Sequence, residues 1–278
     1  MVKEGKIIKL IGDLYTVYSG KERFDCKARG KFRNDKITPL VGDQILFDVE
    51  KKYILEIKPR LNELKRPLVS NVDYGIVVTS LKQPDVSWSL LDKLLCNIII
   101  NNIKPIIVIT KADLVNKKEM KIINKYLKYY QKIGIPVIFN TKLNKLKKII
   151  KNKYVVLAGQ TGAGKSSLLN KLDKNLNLKT AEISFALNRG KHTTRHVEFH
   201  QIGKSFIADT PGFSALELDE YSNEEIRNSF TEFTKYECKY KDCNHLSPID
   251  CGVVDAYANG KILNTRYENY KKFMSRGK

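Results

Sequence analysis

The chain has no apolar run approaching the roughly 18 residues that a membrane-spanning helix requires. Its first residues, Met1-Val-Lys-Glu-Gly-Lys, carry no signal-peptide core, so it reads as a soluble cytoplasmic protein. Eight prolines and sixteen glycines in 278 residues exclude a collagenous or low-complexity chain. Cysteine is scarce and odd in number, at five, which excludes a fully paired disulfide framework and favours a reducing compartment. Acidic residues are also few: 30 Asp and Glu stand against 50 Lys and Arg, for a formal charge of +20. Such an imbalance favours a polyanionic partner, most simply nucleic acid, although a codon bias toward Lys, Asn and Ile is another source of it. At 278 residues the chain is long enough for two or three cored domains, and its hydrophobic content of 42% is ordinary for a soluble globular protein.

Short apolar stretches punctuated by Gly12-Asp13, Ser19-Gly20, Gly30 and Gly42-Asp43 fill the first 68 residues. Lys6–Leu10, Leu14–Tyr18, Arg23–Arg29, Gln44–Val49 and Tyr53–Ile57 read as five strands, which fit a small OB-type barrel; an SH3-like barrel would have a similar pattern. Arg60–Pro67 reads as a linker. Beyond it, apolar strands alternate with amphipathic helices, the signature of a mostly parallel α/β sheet. The expected strands are Tyr74–Thr79, Ile106–Thr110, Pro136–Phe139 and Tyr154–Ala158, followed by a hairpin of His196–Gln201 and Lys204–Asp209. Helices are expected over Trp88–Asn101, Lys118–Ile133 and from Lys165 to Leu172. The expected domains are 1–68, 69–219 and a helical segment, 220–278.

Gly159-Gln160-Thr161-Gly162-Ala163-Gly164-Lys165-Ser166 fits the phosphate loop G-x-x-x-x-G-K-[ST], with Ser167 following. Its glycines let backbone N–H groups turn inward onto phosphate oxygens, Lys165 would lie against the β- and γ-phosphates, and Ser166 would hold Mg²⁺. Asp209-Thr-Pro-Gly212 fits D-x-P-G after a strand, with Asp209 toward Mg²⁺ and the Gly212 N–H toward the γ-phosphate. Gly190-Lys-His192-Thr193-Thr194 lies between these motifs, where one threonine, taken as Thr194, would complete the Mg²⁺ shell.

Thr110-Lys111-Ala112-Asp113 fits the guanine-reading motif [NT]-K-x-D. A carboxylate at Asp113 accepts from guanine N1–H and the 2-amino group, neither of which adenine presents. Lys111 would cover the base, and Thr110 stands where Asn is commoner and usually braces the loop. Asn140-Thr141-Lys142 stands where a Ser-Ala loop usually backs the base. The base reader precedes the phosphate loop by about fifty residues, the reverse of the ordinary GTPase order, so the domain reads as a circularly permuted P-loop GTPase. An ATP-dependent enzyme is the rival that Asp113 argues against.

Cys238, Cys243, His245 and Cys251 offer three thiolates and an imidazole within fourteen residues, a donor set for structural, closed tetrahedral Zn²⁺. Cys26 and Cys96 have no evident partners and read as reduced core thiols. Lys27, Arg29, Lys31, Arg33 and Lys36 cluster in the barrel and are candidates for RNA phosphate contacts.

These motifs, with Val41-Gly-Asp43, Arg66-Pro67, Asn71-Val-Asp73, Phe213 after the D-x-P-G motif and Arg266-Tyr-x-x-Tyr270, resemble the ribosome small-subunit-dependent GTPase A family (RsgA, also called YjeQ or YloQ) over nearly the whole chain. The resemblance implies GTP hydrolysis to GDP stimulated by the small (30S) ribosomal subunit, contact with 16S rRNA, and a role in late small-subunit maturation; a monomer is expected. It also implies a catalytic role for His192, since Gly212 is followed by Phe-Ser-Ala and no glutamine. The alternatives are a permuted GTPase of large-subunit assembly and an RNA-binding module with a vestigial nucleotide site.

Overall fold

A computed structural model of the chain describes residues 1–30, 32, 37–65, 68–173, 197–209, 218–247 and 249–276. The alternating apolar residues at the head of the chain close into a barrel of β1 (Val2–Ile11), β2 (Leu14–Ser19), β3 (Glu22–Ala28), β4 (Gln44–Asp48) and β5 (Tyr53–Ile57). The order is β1-β2-β3-β5-β4, with β4 returning to β1. β1 is long enough to pair with β4 through Val2–Lys6 and with β2 through Lys6–Ile11. The parallel contact of β3 with β5 makes this the OB-type arrangement. Ile7, Val17, Ile45, Phe47 and Ile54 fill its interior, and Cys26 is a free thiol buried among them.

The expected linker is partly folded. β6 (Glu63–Lys65) and β7 (Leu68–Ser70) form a small hairpin whose Leu64 and Val69 are buried. Asp43 anchors it from the barrel. Its buried carboxylate accepts from Arg60 Nε at 2.8 Å, from the Ser70 hydroxyl at 2.6 Å and from the Leu40 amide at 2.8 Å. Gly42 beside it has φ +102°, and a Cβ there would lie 1.9 Å from the Ser70 carbonyl oxygen, so the close approach requires glycine. Arg66 and Pro67 lie outside the described residues.

The second unit runs β8 (Tyr74–Ser80), α1 (Trp88–Ile100), β9 (Lys104–Thr110), α2 (Lys117–Lys132), β10 (Val137–Phe139), α3 (Leu143–Ile150), β11 (Tyr154–Ala158), α4 (Lys165–Leu172), β12 (Phe199–Ile202) and β13 (Ser205–Asp209). The sheet order is β10-β9-β8-β11-β13-β12, parallel except for the β12–β13 hairpin. Leu94, Leu95, Leu127 and Tyr130 of α1 and α2 pack on one face. Leu146, Ile150, Leu168 and Leu169 of α3 and α4 pack on the other. α3 is an addition to the expected elements.

The chain steps outward from β8 to β10 and then crosses back to β11. The strand order therefore reverses between β8 and β11, and α/β sheets of this kind bind ligands at that point, beyond the carboxyl ends of the strands. The barrel sits at the other side, against the β12 edge. Lys9 Nζ meets Glu198 at 2.7 Å, and the two residues form a backbone bridge. Tyr18 packs edge-on to Phe206, with ring centroids 4.7 Å apart. Lys6 Nζ lies 3.4 Å over the Tyr154 ring and donates to the Asn71 carbonyl at 2.9 Å; burial lowers its pKa to about 8.

The tail contributes α5 (Asn223–Ser229), α6 (Gly252–Ala258) and α7 (Asn264–Met274), and α5 and α7 pack on α1. Cys96 of α1 is a buried free thiol in that interface. Among the described residues, no helix is long and apolar enough to cross a membrane.

Candidate functional site: a nucleotide cleft and a metal centre

β11 delivers the phosphate loop to the reversal point. Gly159 has φ +140°, and a Cβ there would lie 2.2 Å from the Val78 carbonyl oxygen of β8, so only glycine lets the loop leave the sheet so close to its neighbour. Gly164 precedes α4 with no side-chain cap, leaving the first amides of that helix available to an anion. Gln160, Lys165, Ser166 and Ser167 are partly exposed, and Thr161 and Gly162 are exposed. The Lys165 ammonium donates to the Gly159 and Gln160 carbonyls at 2.8 and 3.1 Å, folded along the loop it serves.

The base-reading segment leaves β9, two strands from β11. Thr110 is buried, and its hydroxyl donates to the Ala163 carbonyl at 2.6 Å. The threonine thus ties the base-reading segment to the phosphate loop directly, with one hydroxyl where the larger Asn usually serves. Lys111 takes a left-handed conformation, φ +52°, and donates from Nζ to the Gln83 carbonyl. Asp113 follows in the 3₁₀ turn Ala112–Leu114, exposed to solvent. β10 ends beside β9, with Phe139 opposite Ile109, and the Asn140 amide donates to the Ile109 carbonyl at 2.8 Å. Asn140, Thr141 and Lys142, which follow the strand beside the base reader, line a groove with Lys145 and Lys147 of α3 and Lys171 of α4.

Asp209 ends β13, and Leu157 of β11 is its register partner, so D-x-P-G begins beside the phosphate loop. Ser166 and Asp209 are oxygen donors of the kind Mg²⁺ takes. His192, Thr193, Thr194 and Gly212 lie outside the described residues. Of the barrel cations, Lys27 and Arg29 are exposed at the end of β3, and Lys31, Arg33 and Lys36 lie outside the described residues.

The metal centre is compact. The ligand atoms of Cys238, Cys243, His245 and Cys251 all lie within 4.8 Å of one another. Cys238 Sγ is 3.8 Å from Cys251 Sγ and 3.4 Å from His245 Nδ1; Cys251 Sγ is 3.6 Å from the same nitrogen. Zinc–sulfur bonds of about 2.3 Å and a zinc–nitrogen bond of about 2.0 Å at tetrahedral angles require about 3.8 Å between sulfurs and about 3.5 Å from sulfur to nitrogen. The donors fit a structural zinc site of four protein ligands. Burial lowers the His245 pKa, which favours the neutral ring a metal needs, and raises the Cys251 thiol, so metal capture releases protons. Tyr267 and Tyr270 of α7 donate to the His245 and Asn244 carbonyls at 2.7 and 2.6 Å, holding the ligand loop from outside.

Sequence reasoning missed the partners of Arg266. Its fully buried guanidinium donates to Asp92 Oδ1 and Glu232 Oε1, both at 2.8 Å, and lies 3.9 Å from the Phe230 ring centroid. Tyr130 and Asn269 also donate to Asp92, each at 2.7 Å. An aspartate on the apolar helix α1 was the available signal.

With zinc at a hundredfold its Kd, the centre contributes about 2.7 kcal/mol of stability by mass action. A strong chelator should therefore lower the calorimetric Tm of the wild type and leave that of a Cys243→Ser variant, already without the full donor set, unchanged. Equal chelator response in both would remove zinc from this site.

The RsgA GTPase family model matches residues 54–219, and the RsgA N-terminal domain model matches residues 4–54. The chain is 47% identical to small ribosomal subunit biogenesis GTPase RsgA 2 of Oceanobacillus iheyensis, with 98% of this chain and 96% of that protein covered. It is 43% identical to small ribosomal subunit biogenesis GTPase RsgA of Limosilactobacillus fermentum over the same shares. The crystal structure of YjeQ from Thermotoga maritima superposes with a TM-score of 0.87 at 30% identity, covering 99% of this chain and 100% of that one. YloQ, a circularly permuted GTPase, superposes with a TM-score of 0.82 at 37% identity, covering 99% and 94%. A permuted motif order, a barrel ahead of it and a zinc centre behind it thus coincide with full-length similarity, and the chain belongs to the RsgA GTPase family.

Proposed function

We propose that this chain hydrolyses GTP to GDP and phosphate as a cytoplasmic, monomeric factor that binds the small ribosomal subunit through 16S rRNA and acts late in its maturation. The observation that carries the nucleotide assignment is the Thr110 hydroxyl on the Ala163 carbonyl at 2.6 Å, which joins a guanine-reading segment to a phosphate loop in one cleft. The assignment to the small subunit rests on the relatives' shared role in its biogenesis.

In this reading the Asp113 carboxylate pairs with the guanine edge, and Lys111 lies along the base. The amides from Gly162 to Ser167 and the Lys165 ammonium surround the β- and γ-phosphates. Ser166, Asp209 and Thr194 would hold Mg²⁺, which supplies charge neutralisation on the phosphate oxygens. The Gly212 amide senses the γ-phosphate, and His192 positions the attacking water. Lys27, Arg29, Lys31, Arg33 and Lys36 of the barrel contact RNA phosphates.

GTP turnover measured alone and with purified small or large subunits tests this reading. The small subunit should raise kcat and co-sediment with the GTP-analogue-bound protein; preference for the large subunit would overturn it. In the same assay, His192→Ala should lower subunit-stimulated kcat by about a hundredfold, the lower range for a lost acid–base group, while GTP affinity changes little. Unchanged stimulated kcat would remove His192 from the mechanism.

A further inference from the structure

The charge of +20 is concentrated in one part of the sequence. Residues 114–172 hold fourteen lysines against one glutamate, a net +13, whereas residues 1–58, which include the barrel, carry +4 and residues 220–278 carry +1. Nine of these lysines lie on two helices, α2 and α3. α2 and α3 both pack against β10, the sheet edge opposite the one the barrel covers, and they do so from opposite faces.

On α2 the arrangement is regular. An Asn116–Glu119 capping box starts the helix, and Met120, Ile123, Leu127 and Tyr130 turn its apolar side to the core. Lys118, Lys121, Lys125, Lys128 and Lys132 recur at three- and four-residue steps. At about 100° per residue they fall within a wedge of about 80°, directly opposite the apolar stripe. At about 1.5 Å of rise per residue the row is about 21 Å long. All five are exposed, and among the described residues none is in an ion pair. The one acid of the helix, Glu119, is taken by Lys82 at 3.1 Å. Lys145, Lys147 and Lys148 of α3 extend the same charge around the edge strand. Five unneutralised lysines in a row are costly unless an anion meets them, because like charges at these spacings oppose the helix.

We infer that the β10 edge, with α2 as its principal face, is a second RNA-binding surface that engages the phosphate backbone independently of the barrel. The inference rests on the ribosomal reading above for the identity of the RNA. A row of exposed ammonium groups with neither an acceptor for base edges nor an apolar pocket suits phosphates, so the surface adds affinity and orientation with no base preference. The nucleotide cleft lies between this surface and the barrel. Two contacts at opposite edges of one sheet make the second binding event intramolecular and raise avidity beyond that of either contact.

Full-length Lys121→Gln/Lys125→Gln/Lys128→Gln protein tests it, because glutamine matches lysine in helix propensity and keeps α2 intact. Circular dichroism should match the wild type, Tm should be equal or slightly higher because like charges are removed, and subunit-free GTP turnover should be unchanged. Binding to small subunits and to protein-free 16S rRNA, measured from 50 to 200 mM salt, should weaken about tenfold or more, with the slope of log K against log salt reduced by about 2–3 for three lost phosphate contacts. An unchanged slope and affinity would make the row a solvated face and overturn the inference. Weaker subunit binding with unchanged binding to protein-free rRNA would assign the surface to a ribosomal protein and overturn it as well. If the wild type itself does not favour small subunits, the ribosomal reading fails, while the comparison on rRNA still decides whether this edge binds RNA.

Discussion

Asp113→Asn protein should bind xanthosine triphosphate in preference to GTP. Guanine presents two donors to this position, N1–H and the 2-amino group, and a carboxylate accepts both. An asparagine offers one acceptor and one donor, so its NH₂ would face the guanine 2-amino group with neither satisfied. Xanthine keeps N1–H and carries a carbonyl at C2, which matches the amide. A site whose polar groups are left unpaired rejects the wrong partner by factors of about 10⁴, and the GTP-to-XTP preference should move by that order. Asp113 is solvent-exposed in its turn, so the exchange costs no core packing. Competition between the two nucleotides in an equilibrium binding assay measures the ratio. A variant that kept its preference for GTP would show that another group reads the base.

Arg266→Met should destabilise the protein by about 3–5 kcal/mol, the range for removing one partner of a buried ion pair. The methionine fills much of the arginine's volume, but Asp92 and Glu232 remain buried without their shared cation. Burial already holds the Asp92 carboxyl above the usual carboxylate range, and the loss of Arg266 raises it further. A carboxyl raised in the folded state penalises folding once pH exceeds its unfolded value of about 4, and the penalty grows until pH passes the folded value. The deficit should therefore shrink as pH falls toward 4. Urea unfolding of both proteins at neutral and acid pH gives the difference, and adding Asp92→Asn and Glu232→Gln to the variant should restore part of the lost stability. A pH-independent deficit of under about 1 kcal/mol would show the cluster to be no more than packing.

The strands of the barrel and sheet were legible because their apolar residues alternate or run together between turn residues. Observed bounds for β5 and β11 coincide with the expected ones, those for β2 and β4 differ by one residue at one end, and β3 is shifted by one residue at both ends. The OB-type reading of the barrel holds, although an SH3-like barrel has a similar pattern; the parallel pairing of β3 with β5 decides between them. α3 was missed because it is eight residues long and Lys142 supplies no side-chain cap. The β6–β7 hairpin was missed because Arg66-Pro67 falls between its strands, and proline argues against a strand. Each nucleotide motif was placed by the apolar strand before it. The bond from Thr110 to Ala163 was not legible, because it joins residues 53 apart. Likewise Asp92 reads as an ordinary polar residue of a helix until a residue 174 positions later covers it.

The barrel's seat on β12 has a further consequence. The edge strand of an open sheet carries unpaired backbone groups and is a template for pairing with another chain. β1 lies against that edge through Lys9 and Glu198, while Tyr18 and Tyr154 close around Phe206. The barrel thus shields the sheet from edge-to-edge association, and a fragment cut after residue 58 would bare the β12 edge and the aromatic surface of Phe206 together. Solubility of the GTPase unit is therefore a property of the joined chain, and the two halves cannot be exchanged between relatives as interchangeable modules without carrying this seam along.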